Sequence, residues 1–321
     1  MKLKNIILLI VTFLSLFSCK SQKATEETSI ADEVDTQVVN FNASNAYSLV
    51  KAQCDFGPRV PGTPAHSKCA EWLEQSLKQN CDTVIVQQGQ VTTFDGKILN
   101  IKNFIGSFNT SNSDRILLLA HWDCRPWADN DPDSTKHSEP VMGANDAASG
   151  VAVLLELARL MKEKKPNIGV DILFVDAEDW GTNDVEDSWA LGTQYWAKNP
   201  HVTGYTARFG ILLDMVGARG AKFYEEDASL YFAKDVVDVV WGEAQRSGYS
   251  SYFDPNYAGG GITDDHIVVN EMGIRCIDII DTRDNGHFFP GWHTTTDTMS
   301  WIDQNTLKAV GQVVANVVYS Y

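Results

Sequence analysis

Two adjacent acids, Glu178 and Asp179, follow the run Val170-Asp171-Ile172-Leu173-Phe174-Val175-Asp176-Ala177, where an apolar strand should leave the protein interior. A strand that is hydrophobic to its last residues and then abruptly acidic delivers carboxylates to the crevice in which open α/β sheets bind ligands. Neighbouring residues on an extended chain point to opposite sides, so one acid can hold a metal while the other faces a substrate. Similar residues accompany other apolar segments. His121 and Asp123 follow residues 115–120, Asp214 lies near the end of 209–215, and Asp264 and His293 flank 274–280. Asp146, in Gly143-Ala144-Asn145-Asp146, stands directly before a helical pattern, as a ligand or as a cap of that helix. A mixed histidine and carboxylate set suits zinc, which in catalytic sites takes three protein ligands and keeps one position open. Asp146, Asp179 and His293 make such a set.

The elements that must position these residues alternate between strand and helix patterns, which predicts an α/β fold: a single domain with a central mixed, largely parallel sheet flanked by helices. Residues 65–79 have helical spacing and 83–91 alternate like a strand. Residues 115–120 read as a buried strand, and 124–142 as a polar loop carrying Pro126, Pro132 and Pro140. Helices are expected at 147–163, 188–198, 229–246 with Ser229 as N-cap, and 305–318; strands at 170–177, 209–215 and 274–280. No internal repeat is present. Every candidate site residue then falls at one end of the sheet, apart from His287, His66, His137 and His201, which read as bystanders.

Composition narrows the partners. The chain has 321 residues, 44% hydrophobic and 21% charged, and a formal net charge of -16. That acidity excludes nucleic acid, whose phosphates need clustered Lys and Arg. Lys2 and Lys4 precede the apolar stretch 6–17, which reads as an export signal over residues 1–18 and is too short to span a membrane comfortably. Leu16-Phe17-Ser18-Cys19 resembles the lipobox of bacterial lipoproteins and predicts lipidation of Cys19, anchoring on the periplasmic side of the outer membrane, and a flexible tether over 19–40 before a catalytic domain at 41–321. A monomer is expected. Beyond Cys19 the cysteines are Cys54, Cys69, Cys81, Cys124 and Cys276, with no CxxC pair for a thiolate metal site. Export would permit Cys54 to pair with Cys69 or Cys81.

His121-Trp122-Asp123, Gly143-Ala144-Asn145-Asp146-Ala147-Ala148-Ser149-Gly150, Glu178-Asp179, Leu213-Asp214, Asp265-His266 and Trp292-His293 together resemble the zinc aminopeptidase and glutaminyl cyclase superfamily, in family order from about residue 41 onward. Trp292 before His293, the acidic turn Thr263-Asp264-Asp265-His266 and the strand Leu213-Asp214-Met215-Val216-Gly217-Ala218 favour the animal-type cyclase branch. That resemblance implies one zinc on Asp146, Asp179 and His293, with Glu178 moving protons and Asp264, Asp214 and Asp278 orienting the leaving amide. Trp292, Ile262 and Phe289 would wall the side-chain pocket. The implied reaction converts the N-terminal Gln of peptides or proteins to pyroglutamate with release of ammonia. The alternatives are a one- or two-zinc aminopeptidase, the second metal using His121 and Asp214, and a non-catalytic peptide-binding lipoprotein. Two positions depart from the family: Asp179 stands where Glu is usual, and Asp278 where the animal cyclases have His.

Overall fold

A computed structural model describes residues 39–185, 187–256, 260–283 and 287–321. The export signal, Cys19 and the tether as far as residue 38 lie outside the described residues. Val39 and Asn40, expected at the end of the tether, are already docked: the Val39 carbonyl accepts from Gln312 Nε2 at 3.0 Å and Asn40 Oδ1 accepts from Lys308.

The elements in chain order are α1 (Ala43–Cys54), α2 (Pro64–Asn80), β1 (Thr83–Thr92), β2 (Ile98–Phe108), β3 (Arg115–His121), α3 (Ala148–Glu163), β4 (Gly169–Val175), α4 (Leu191–Lys198), β5 (Phe209–Asp214), β6 (Phe223–Tyr224), α5 (Asp227–Arg246), β7 (Phe253–Asp254), α6 (Asp265–Glu271), β8 (Cys276–Ile280) and α7 (Gln304–Tyr319). A six-stranded sheet has the order β1-β2-β4-β3-β5-β8. β1 and β2 form an antiparallel hairpin and β2 is antiparallel to β4, whereas β4, β3, β5 and β8 run parallel. β6 pairs with β7 in a separate two-stranded sheet.

Both sheet faces are covered, which is why the parallel strands are largely apolar rather than alternating. Side chains still alternate in direction. Ile116, Leu118 and Ala120 of β3 join the core beneath α1, α2, α3, α5 and α7, while Leu117 and Leu119 pack with Trp196 of α4 and Val269 of α6 on the other face. The parallel strands finish at one edge, and the polar residues that follow them meet there. At the opposite end of β4 the buried Asp171 accepts from Arg115 Nε and Nη2, both at 2.7 Å, from Ser107 Oγ at 2.6 Å and from Tyr205 Oη at 2.9 Å. A buried carboxylate satisfied this fully is tolerable, and removing one partner would strand its charge.

Several local expectations are corrected. Ser229 is not the cap of α5: Glu226 fills that position, its carboxylate accepting from the Ala228 and Ser229 amides. Ser229 Oγ instead accepts from the Asp278 amide at 2.9 Å. The pairings of Cys54 with Cys69 or Cys81 do not form, since all the described cysteines are free. His66 is no surface bystander: it is buried, its Nε2 lies 2.9 Å from Asp176 Oδ1, and its ring stacks on Trp122.

Candidate metal centre and active site

β4 stops at Val175, and the chain turns through Ala177 in the left-handed region at φ 53°. Glu178 and Asp179 therefore leave on a turn rather than on an extended strand, so strict alternation does not govern them. Both line one cleft. Asp123, fully buried, holds the turn: its Oδ1 accepts from the Glu178 amide at 3.1 Å and its Oδ2 from the Asp179 amide at 3.2 Å. A second carboxylate plays the same part for Asp146. Asp297 accepts from the amides of Asn145 at 2.8 Å and Asp146 at 3.1 Å. Asn145 Oδ1 in turn accepts from the Gly217 amide at 2.8 Å, which ties this loop to the end of β5. Asp146 is not a helix cap, because α3 begins after Ala147 and has no side-chain cap bond.

Asp146, Asp179 and His293 offer ligand atoms that all lie within 4.8 Å of one another, and all three residues are buried. Asp179 Oδ1 lies 3.2 Å from His293 Nε2, while Asp179 Oδ2 is buried without any hydrogen bond. A buried carboxylate with one oxygen unpaired, set beside a histidine and a second carboxylate, is costly by itself, and a cation is what would satisfy it. The donor set therefore fits a divalent zinc-type ion, and the shorter Asp179 reaches the cluster. His121, Asp146 and Asp214 form a second such group under the same 4.8 Å limit. His121 Nε2 is 3.0 Å from Asp146 Oδ1 and 3.3 Å from Asp214 Oδ1. Asp146 is common to both groups.

The cleft has a volume of about 320 Å³ and is lined by Asp146, Glu178, Asp179, Asp214, Asp264, Ile262, Trp292 and His293 among the expected residues. Trp292 stacks on His293 with ring centroids 3.9 Å apart. Phe289 is corrected: it is buried away from the cleft, edge-on to Trp301, and its neighbour Phe288 lines the wall. Consecutive residues of that loop face opposite sides, so only one of the two phenylalanines can reach the substrate space. Asp278 is also displaced from its expected place. It lies within β8, wholly buried behind the cleft, neither oxygen has a hydrogen bond, and the nearest ring nitrogen, His266 Nδ1, is 4.0 Å away. His287 is exposed and takes no part. Residues missed in the sequence include Asp297, Arg125, Asp129 and Trp189. Asp297 and Arg125 act through buried hydrogen bonds to distant segments, which leave no local pattern.

Electrostatics separate the acids. Burial, then the neighbouring Asp264, pushes the Glu178 carboxyl well above the ordinary glutamate range. Burial and the nearby Asp214 carry Asp264 up to about 7, and burial carries Asp214 to about 6. Asp278 is raised well above the usual range by burial and Asp264. These groups titrate as a coupled set. Because the folded-state pKa of Asp264 lies above the unfolded one, its contribution favours folding below the unfolded pKa and is lost as pH rises through about 7. Asp264→Asn in metal-stripped protein should accordingly melt higher than the parent at pH ~8, with the gap closing towards pH ~4. Melting curves across that range check it, and a gap that widens in acid would refute it.

A sheet whose parallel strands end in two overlapping histidine–carboxylate groups, with a glutamate beside one of them, is the scaffold of a metal-dependent exopeptidase-type enzyme. The family model of peptidase family M28 matches residues 103–318, and the chain belongs to that family. A Drosophila melanogaster glutaminyl-peptide cyclotransferase is 27% identical over 294 residues, covering 82% of this chain and 77% of the relative. Among solved structures, a Bacteroides thetaiotaomicron glutaminyl cyclase is 48% identical with a TM-score of 0.86, covering 88% of this chain and 99% of its own. A leucine aminopeptidase precursor from the same organism is 49% identical with a TM-score of 0.85, covering 88% of this chain and 98% of its own.

Proposed function

We propose that the protein is a glutaminyl-peptide cyclotransferase carrying one zinc on Asp146, Asp179 and His293. The observation that carries this is the pairing, in one small cleft, of a buried glutamate next to the donor cluster with the buried carboxyl of Asp264. A carboxamide side chain needs such partners; an alkyl side chain does not. Zinc held by those donors would act as a Lewis acid towards the substrate γ-carbonyl. Everything else falls to the chain itself. Trp292 and Ile262 confine the glutamine side chain, so that its α-amine meets its own γ-carbon and the reaction gains from being intramolecular. Glu178 takes the proton released as the new N–C bond forms and returns it to the departing amide nitrogen, so the C–N bond breaks and ammonia leaves. Asp264, with Asp214 beside it, accepts from the N–H of the leaving amide and so orients it.

A two-metal aminopeptidase is the second reading, favoured by the His121, Asp146 and Asp214 group. Glu178 would then activate water. Incubation of the purified protein with Gln-peptides and with aminoacyl chromogenic substrates separates the two. Release of ammonia, with the peptide retained and lighter by one ammonia, is expected; free amino acid without pyroglutamate would sink the cyclase reading. The lipobox supports export and lipid anchoring at Cys19, which radiolabelled fatty acid incorporation tests.

A further inference from the structure

Arg125 stands at the start of the loop between β3 and α3, only 3% exposed. Its Nη1 donates to Asp179 Oδ1 at 3.3 Å, to the Asp179 carbonyl at 3.2 Å and to the Gly181 carbonyl at 3.2 Å. The rest of the guanidinium grips Asp129, with Nε 2.7 Å from Oδ1 and Nη2 2.6 Å from Oδ2. Asp129 Oδ1 then lies 3.5 Å from Nδ1 of His293, the ring nitrogen remote from the cluster. The guanidinium lies over both Trp127 and Trp189, with its carbon 5.1 and 5.0 Å from the ring centres. One cation thus touches Asp179 directly and His293 through Asp129.

From this geometry we infer that Arg125 and Asp129 form a clamp that presets Asp179 and His293 for metal, compensating for the short side chain at position 179. The inference rests on the metal-site reading above. Aspartate has one methylene less than glutamate and must be brought to the ion by its backbone. By holding both the main-chain carbonyl and Oδ1 of Asp179, Arg125 fixes the backbone and the oxygen that lies 3.2 Å from His293 Nε2, and leaves Oδ2 without a hydrogen bond. On the other side Asp129 Oδ1 lies 3.5 Å from His293 Nδ1, an arrangement that favours a proton on Nδ1 and presents Nε2 to the cluster. The rigid fork of arginine allows both contacts at once; an ammonium could not reproduce them. Arg125 is a positioning residue, since it touches neither substrate nor reacting atoms.

Zinc dissociation constants, measured by chelator competition on the full-length protein, test the clamp without reference to catalysis. Arg125→Met should weaken zinc binding roughly 10- to 100-fold, the cost typical of outer-shell partners, and Arg125→Lys should restore little of it. Asp129→Asn should weaken binding about tenfold, and the double variant should bind within about threefold of Arg125→Met because both act through one linkage. An unchanged constant in Arg125→Met, or single effects that multiply in the double variant, would overturn the clamp. Should Arg125→Met fail to fold, Asp129→Asn decides alone: its side chain is 40% exposed, so its metal-free melting curve should match the parent. Unaltered zinc affinity in that variant overturns the proposal. Absence of pyroglutamate formation with these shifts intact would sink the cyclase reading and leave the clamp standing.

Discussion

Glu178→Gln should lower turnover of a Gln-peptide by roughly 10²- to 10⁴-fold, the range for a positioned general acid–base, with zinc content unchanged. The substitution is nearly isosteric and keeps the backbone amide that Asp123 holds at 3.1 Å, so the turn carrying Asp179 is not disturbed. What it removes is the ability to take a proton. Asp264 and Asp214 are protonated more readily than ordinary carboxylates, but the proposed reaction assigns them to the leaving amide. Because Trp292 and Ile262, which line the cleft, are untouched, KM should move far less than kcat. Steady-state kinetics with zinc analysis on the same sample check this. Turnover within tenfold of the parent would remove Glu178 from the reaction.

Asp146→Ala should weaken zinc binding by about a thousandfold or more, beyond the 10- to 100-fold typical of outer-shell partners, and abolish activity at ordinary metal concentrations. Asp146 is the residue shared by the two donor groups. Its loop, however, does not depend on its side chain: Asp297 holds the Asn145 and Asp146 amides, and Asn145 holds Gly217. The variant should therefore fold, with a metal-free circular dichroism spectrum like that of the parent. Metal analysis of the two proteins side by side also bears on stoichiometry. A parent with one zinc that falls to none supports the mononuclear cyclase; a parent with two that are both needed for activity favours the aminopeptidase.

Elements with strong local signals were legible before any coordinates. The continuous apolar runs of β3, β4, β5 and β8 need both faces covered, and that by itself implies a parallel sheet between helices. α2, α3 and α7 announced themselves through apolar spacing. Other elements were silent. α1 buries only Ala46, Val50 and Gln53, too weak a stripe to read, and α6 is seven residues long, under two turns. β2 is buried along its second half but exposes Ile98 and mixes in Lys102 and Asn103, so its pairing with β1 appears only in the assembled sheet.

By itself the sequence determined the chemistry available to this protein: which carboxylates and histidines follow which strands, and therefore that they gather at one edge of a parallel sheet. Strand direction is enough for that, because parallel strands must end on the same side. The tertiary structure decided what each residue does there. It took Asp278 and Phe289 out of the cleft and put Phe288 in the wall. It also made Asp123 and Asp297 holders of backbone amides, and brought Arg125 and Asp129 onto the candidate metal ligands. Those assignments depend on ångström-scale distances between segments far apart in the chain, and residue type and local spacing carry no information about such distances.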